Sequence, residues 1–301
     1  MDWQSLLEIV RQFIASGSLE IFVAGAFGAF FGALGAQIAI SRNQTKRAVI
    51  AELNSVSTAL ALCFAISTRF ISLKQQHVRS MRDRYVQAQR THDEFLEAGK
   101  THKGPVPMVY ELEADLQTIT PLKVPTELLE RHVFEKISIR GRALAAAVDL
   151  VGAIDGLEKS IKFRNDLITE FQQASPLPSK VLAEKYFGMR TEEGITDEKF
   201  PSSVTAIYEQ TDDCIFFSRI LADDLLEYGT KLRKRYAWKF RLHVPKLTGA
   251  DWSIAENDGL LPPTSQYEKW LAGFKKKPKT FKRLTAKVLS FWECSARDPQ
   301  P

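Results

Sequence analysis

Basic and aromatic side chains alternate over a short stretch late in the chain, and this stretch is the best candidate for binding a ligand. Lysine and arginine neutralise phosphates, while aromatic rings offer faces on which nucleobases stack, each worth about 1–3 kcal/mol. The residues of this first run are Lys231, Arg233, Lys234, Arg235, Tyr236, Trp238, Lys239 and Arg241. A second run of the same kind contains Lys275, Lys276, Lys277, Lys282 and Arg283. Together the two runs predict a surface for a single-stranded oligonucleotide or a nucleotide.

Charge is distributed unevenly along the sequence. The whole chain carries a net charge of +5, yet the segment from Lys231 to Lys287 has 15 lysines and arginines against 4 acidic residues. Such an asymmetry favours an anionic partner for the C-terminal part. Two other interpretations stay open. The basic residues could hold anionic lipid, at about 1 kcal/mol for each one near a membrane surface. Alternatively, the aromatic residues are core and the charges form a solvated face.

Patterns typical of catalysis or metal binding do not occur in the sequence. The five histidines show neither an HxxxH nor an HExxH spacing, and there is no phosphate-binding glycine motif. Cys63, Cys214 and Cys294 lie far apart, which argues against a disulfide framework and suits a reducing compartment. Asp212 and Asp213, beside Cys214, are interpreted as a helix surface that turns into an apolar face. We therefore predict no catalytic residue, no metal, no cofactor and no enzymatic activity.

The element that would hold the basic surface at a membrane lies near the N-terminus. From Ile21 to Ile40 the sequence has 20 residues without a charge, enough for a helix to cross the hydrocarbon core. Three acidic residues and one arginine precede this run, so it fits a cleaved signal peptide poorly. Arg42, Lys46 and Arg47 follow it and predict that the C-terminal side is cytoplasmic and the N-terminus outside. The alternative is a buried helix of a soluble core.

Small residues form a stripe on this apolar run. Gly25, Gly28, Gly32 and Gly35 follow a 3-4-3 spacing, which places them within an arc of roughly 80° on a helix. Because small residues let helices approach closely in lipid, the stripe predicts transmembrane packing in a homo-oligomer. Glycine is also simply frequent in transmembrane helices. Gln37 lies off the stripe and is a candidate to line a pore or to hydrogen-bond between helices.

The sequence predicts four segments. They are an amphipathic interfacial helix over 1–18, a transmembrane helix over 19–41, a cytoplasmic helical domain over 42–245, and a basic C-terminal segment over 246–301 that packs on or extends this domain. The first helix could instead pack on a protein neighbour. The fold class is mainly α, with one N-terminal transmembrane helix followed by a cytoplasmic long-helix bundle.

Individual helices of the cytoplasmic part follow from apolar periodicity and from proline and glycine breaks. Helices are expected over 42–98, 126–172, 179–189 and 202–239, with Thr126 as an N-cap and a weak strand-like character over 111–120. The apolar stretch 53–73 is either a buried bundle helix or a second span. Arg69 interrupts this stretch and favours burial in a bundle, since a charge inside lipid is costly.

One apolar N-terminal span, a helical cytoplasmic body and a basic-aromatic surface occur together in this sequence. In this architecture and in its two basic-aromatic runs the chain resembles the membrane effectors of bacterial antiphage systems, most of all the effector family of the Hailong system. The resemblance implies a homo-oligomeric, tetrameric ion channel in the bacterial inner membrane, regulated by a single-stranded deoxyadenylate oligomer that a nucleotidyltransferase encoded nearby would make. The alternative function is a non-enzymatic, membrane-tethered scaffold whose basic tail binds anionic lipid.

Overall fold

The computed structural model shows a protein built from long helices. It describes residues 3–15, 18–102, 109–173, 179–191, 194–240 and 246–274. Within these residues helices dominate and no strand occurs, which confirms the mainly α class. The chain divides into two compact units, Met1–Leu261 and Pro262–Pro301.

The first unit contains eight α-helices among its described residues, and two π-helical turns. The helices are α1 (Trp3–Ala15), α2 (Ser18–Leu73), α3 (Arg79–Thr101), α4 (Thr126–Glu130), α5 (Arg142–Gln173), α6 (Ser179–Phe187), α7 (Lys199–Phe240) and α8 (Ser253–Asn257). One π-helical turn, Lys74–Val78, joins α2 to α3 without a break, and the other, Arg131–Lys136, follows α4. In the second unit a 3-10 turn, Thr264–Tyr267, precedes α9 (Glu268–Ala272).

The N-terminal half of α2 contains the apolar run, which is described from Phe27 onward. Its side chains from Phe27 to Ile40 are all exposed. Among the described residues, the one helix long and apolar enough to cross a membrane is the continuous helix Phe27–Thr101 that contains this half. The described part of the apolar run, from Phe27 to Ile40, is therefore not buried against the rest of this chain.

The C-terminal half of α2, by contrast, is part of the core. Leu53, Val56, Cys63, Ile66 and Phe70 are each at most 2% exposed. Their spacing of three, four and seven residues keeps them on one face of the helix, where they pack against α7. The stretch 53–73 is thus a bundle helix with one buried face within the described structure, as the presence of Arg69 in it suggested.

Helix α7 occupies the middle of the bundle. It contacts both α2 and α5, which explains why its central part, from Thr211 to Ala222, is buried on nearly all sides. Helix α7 runs antiparallel to both neighbours. Asp212 pairs with Lys74 while Gly229 lies against Val56 of α2, and Asp224 pairs with Arg142 while Gln210 lies against Gly156 of α5. Helices α2 and α5 therefore point in the same direction.

Two parallel helices in a bundle need a long connection between them, and residues 109–125 provide it as an extended return segment. It lies along the long helix, since Tyr110 donates a hydrogen bond to the carbonyl of Ala88 and Arg69 donates one to the carbonyl of Lys123. Arg164, only 1% exposed, donates from Nη1 to the carbonyl of Gln117 at 2.7 Å. The sequence predicted strand-like character here; the segment is extended but forms no strand in the described residues, because side chains of α5 satisfy its backbone groups.

The predicted helix over 126–172 is wrong in one respect: it is interrupted between the π-helical turn Arg131–Lys136 and α5. Gly141 has a φ of +65°, a left-handed conformation that glycine adopts without strain, and it turns the chain into α5. Thr126 is not the N-cap either. It is the first helical residue, and its hydroxyl donates to the carbonyl of Val124 at 3.2 Å. The predicted helices over 179–189 and 202–239 correspond to α6 and α7.

Candidate ligand surface at the end of helix α7

The last ten residues of α7, Lys231–Phe240, carry most of the first basic-aromatic run and are called here the α7 end. Lys234 and Arg235 are exposed, and the indole of Trp238 is 93% exposed. Lys231 is exposed and pairs with Glu227 on the same helix. Arg233 is half-buried. Among its described side chains, the α7 end therefore offers a ligand two exposed cations besides the paired Lys231, and one accessible aromatic ring.

Tyr236 has a different environment from Trp238. It is half-buried against an apolar cluster of Val49, Leu53 and Leu232. Part of its ring is thus committed to packing α7 on α2, and a smaller part of its face is open for stacking than the sequence suggested. Trp238 is the better candidate for a stacking platform.

The contact between α7 and α2 next to this surface is close and specific. The hydroxyl of Tyr228 donates a hydrogen bond to the carboxylate of Glu52 at 2.5 Å, and burial together with that carboxylate raises the pKa of Tyr228 to about 12. The backbone N–H of Ser138 donates to the same carboxylate oxygen at 2.8 Å. A methyl group at Gly229 would clash with Cδ1 of Leu247 and would lie 2.8 Å from Cγ1 of Val56 on α2. Glycine at 229 thus allows the two helices to approach closely.

The antiparallel packing fixes which part of α2 lies beside the α7 end. Gly229 lies against Val56, so Trp238, nine residues further along α7, is level with Arg47, nine residues back along α2. Counting from the ion pair between Lys74 and Asp212 places Trp238 level with position 48 of α2, one residue from Arg47. Arg47 follows the last apolar residue, Ile40, by seven residues, or roughly 10 Å along a helix. The α7 end therefore lies beside the base of the candidate span.

Several predicted ligand-binding residues fall outside what the structure describes. Lys239 lies in α7, but its side chain is not among the described ones. The others outside the described residues are Arg241, Lys275, Lys276, Lys277, Lys282 and Arg283. In the described part of the second unit, the rings of Trp270 and Phe274 pack on each other with centroids 4.7 Å apart. The assignment of these residues to a ligand site stays a prediction.

The glycine stripe is open where the structure describes it. Gly28, Gly32 and Gly35 have no side chain or neighbouring element within 4 Å of the position a Cβ would take. Gln37 is exposed on the same helix, whereas the surroundings of Gly25 lie outside the described side chains. The ring of Phe31 contacts those of Phe27 and Phe30, with the centroids of Phe30 and Phe31 5.9 Å apart.

A buried ion pair that the sequence did not suggest lies in the middle of the bundle. Lys74 Nζ is 2.5 Å from Asp212 Oδ1, and both side chains are 4% exposed. Burial raises the pKa of the Asp212 carboxyl, and the Lys74 ammonium opposes that rise. The interpretation of Asp212 as part of a helix surface was wrong. The signal that could have found the pair is a basic residue and an acidic residue that each continue an apolar face.

The described residues contain no group of three or more histidine, cysteine or acidic side chains placed to hold a metal ion. Cys63 and Cys214 are free and buried, and burial raises the pKa of the Cys63 thiol to about 12. A thiol with such a pKa carries little thiolate at neutral pH and is a poor nucleophile.

Comparison with known proteins adds no assignment: no protein-family model, curated protein or solved structure matches this chain. The candidate surface is therefore defined by its sequence and by its position in the fold.

Proposed function

We propose that this chain is a non-enzymatic, homo-oligomeric membrane effector of antiphage defence. In this proposal the apolar half of α2 crosses the bacterial inner membrane once, with the N-terminus outside and the helical body in the cytoplasm. A nucleotide or single-stranded oligonucleotide binds at the α7 end and regulates the assembly of the spans. The observation that carries the proposal is the register of α7 on α2, because it holds the cationic, aromatic α7 end beside the base of the span.

The same helix supports communication between the two parts. Helix α2 runs from the candidate span into the bundle core without a break, and the face that packs on α7 begins at Val49. A ligand that displaces or stiffens the α7 end acts on the side of α2 that enters the core. In the proposed oligomer the glycine stripe provides the contact between spans, and ion conduction through a tetramer is the proposed output.

The ligand is tested by titrating the detergent-purified chain with a labelled single-stranded deoxyadenylate oligomer. We expect binding at low salt that weakens steeply as salt is added, because lysine and arginine displace counterions from the phosphates. Trp238→Ala should weaken binding about 5- to 150-fold, the equivalent of one stacked base. Trp3→Ala is the matched control, since Trp3 is also exposed but lies on α1. Absence of binding at low salt would refute this ligand.

The assembly is tested separately through the stripe. Gly28→Leu and Gly32→Leu should lower the oligomer mass in detergent, measured by native mass spectrometry, because a bulky side chain keeps the helix backbones apart. Gly99→Leu is the control, since Gly99 lies on α3 and also has open space around it. An unchanged mass in the span variants would contradict a stripe-mediated oligomer. A nucleotidyltransferase gene beside this one would favour the proposed signal.

A membrane-tethered scaffold that grips anionic lipid is the second candidate function. The exposure of Trp238 beside Lys234 and Arg235 favours it, because such a surface suits a membrane interface as well as a nucleic acid. A chain that binds anionic vesicles through its cytoplasmic part, and that shows no affinity for oligonucleotides, would be this scaffold.

A further inference from the structure

Two basic segments that lie far apart in sequence meet at one level of the fold. The ten residues from Arg42 to Ala51, close behind the apolar run of α2, contain three basic residues and no acidic one. The α7 end, Lys231–Phe240, contains five basic residues and no acidic one. The antiparallel packing of α7 on α2 places these segments side by side.

The spacing along α2 shows that part of its basic segment continues the face that packs on α7. Arg42, Lys46, Val49 and Leu53 follow a 4-3-4 spacing, so all four lie on one side of the helix. Val49 and Leu53 are buried against Leu232 of α7. Arg42 is exposed and Lys46 is half-buried, on the same side but nearer the apolar run.

We infer that these residues form a collar that binds anionic phospholipid headgroups at the cytoplasmic face of the membrane. The collar is defined as Arg42, Lys46 and Arg47 of α2 with Lys234, Arg235 and Trp238 of the α7 end. Arg47 and Trp238 lie roughly 10 Å beyond Ile40, the end of the apolar run, and Arg42 lies nearer to it, so the collar is at the level of the headgroup layer and the adjoining water.

The chemistry of the collar matches such a surface in two ways. Juxtamembrane clusters of lysine and arginine are attracted to the negative surface potential of anionic lipid, and the attraction fades within a Debye length, about 8 Å at physiological salt. Tryptophan prefers the membrane interface, where its ring is in an apolar layer and its N–H is hydrated. A Trp238 indole that is 93% exposed within the chain would be covered by lipid in the membrane.

This inference rests on the proposed membrane residence of α2 but not on an oligonucleotide ligand. It also means that lipid headgroups bind the α7 end when no oligonucleotide is present. An oligonucleotide must then compete with the headgroups for the same cations. Anionic lipid content thereby becomes a regulator of ligand affinity.

The test uses the full chain in nanodiscs made of phosphatidylcholine alone or of equal parts phosphatidylcholine and phosphatidylglycerol, with brominated acyl chains that quench tryptophan. The contribution of Trp238 is the difference in emission between the wild type and Trp238→Phe. We expect that contribution to be about twofold lower in the anionic discs than in the neutral ones, because the collar draws the indole into the interface only there.

Charge reversal separates the collar from a general effect of charge. Lys234→Glu/Arg235→Glu should abolish the difference between the two discs, and both side chains are exposed, so the core is untouched. The matched control is Arg90→Glu/Lys162→Glu, the same change of charge at two exposed positions on α3 and α5. The control should keep the difference.

Equal emission of Trp238 in the two discs would overturn the collar while leaving the membrane residence standing. An oligonucleotide that binds as tightly in anionic discs as in neutral ones would also overturn it, since competition is then absent. A chain that does not enter discs of either kind would overturn both the collar and the proposed span.

Discussion

Replacing Lys74 by methionine tests the central packing of the bundle, because it leaves the Asp212 carboxylate buried without its partner. The two side chains are 4% exposed and their charged atoms are 2.5 Å apart. Two unit charges 4 Å apart attract by about 4 kcal/mol at an effective dielectric constant of 20. Breaking a buried pair by removing one partner costs about 3–5 kcal/mol, the same order. We therefore expect Lys74→Met to lower the free energy of unfolding by this amount.

The assay is denaturant unfolding of the full chain in detergent, followed by far-UV circular dichroism. The double variant Lys74→Met/Asp212→Leu removes both charges and should recover most of the loss, since apolar replacement of a buried pair is often neutral. Lys159→Met is the control. It breaks an exposed pair with Asp155 on α5 and should cost at most about 0.5 kcal/mol.

The pH dependence gives an independent check. In Lys74→Met the burial of Asp212 acts without the opposing ammonium, so the pKa of this carboxyl in the folded state lies above its unfolded value. Such a group stabilises the fold most below the unfolded pKa, and the stabilisation is lost as pH rises through the folded pKa. The deficit of the variant relative to the wild type should therefore shrink as pH is lowered. A Lys74→Met deficit no larger than that of Lys159→Met, or one that grows in acid, would refute a buried ion pair at this position.

Two further predictions concern the edges of the bundle. Gly229→Ala should be destabilising, because overpacking against Leu247 and Val56 costs about 1–3 kcal/mol and the gain in helix propensity returns only about 1 kcal/mol. Gly152→Ala, on α5 with open space around it, should instead stabilise by about 0.5–1 kcal/mol in the same unfolding assay. Stabilisation by both variants would contradict the close packing of Val56 and Leu247 around Gly229. His92 is buried between the rings of Phe187 and Tyr110, and this burial lowers the pKa of its imidazole in the folded state. Its contribution to stability is therefore full above the unfolded pKa of about 6.5 and is lost as pH falls through the folded pKa. His92→Phe should remove this part of the acid sensitivity of unfolding, and an unchanged pH profile would exclude His92 as its source.

The sequence was sufficient for elements whose periodicity is unbroken. The helix predicted over 202–239 is α7, Lys199–Phe240, because its apolar positions recur at helical spacing over its whole length. The helix predicted over 42–98 corresponds to the C-terminal part of α2 together with α3. The absence of proline and glycine from this stretch favoured the prediction. The interruption before α5 was missed because the sequence does not distinguish Gly141, which breaks the helix, from Gly152 and Gly156, which lie inside α5.

The features that were missed depend on partners distant in sequence. Lys74 and Asp212 each look like surface residues beside their neighbours, and only the packing of α2 on α7 buries them together. The return segment is held by Arg164 from another helix, so no local pattern in 109–125 specifies it. For the candidate site, the sequence identified the basic and aromatic residues of the α7 end. It did not indicate that Tyr236 packs inward, or that the α7 end lies level with Arg47.

The unbroken course of α2 has a geometric consequence for any assembly. The positions 28, 32, 35, 39, 42, 46, 49, 53 and 56 form one row with alternating spacings of four and three residues. A straight helix drifts only about 20° per heptad from such a row, so the glycine stripe and the face that packs on α7 point in directions within about a quarter turn of each other. Helix α7 packs on the C-terminal part of this row, from Val49 onward, and ends at Phe240 before it reaches the level of the glycines. In the proposed oligomer, contact through the glycines would bring the α7 ends of neighbouring copies toward one another, and repulsion between their cations would oppose that contact unless bound anions neutralise them.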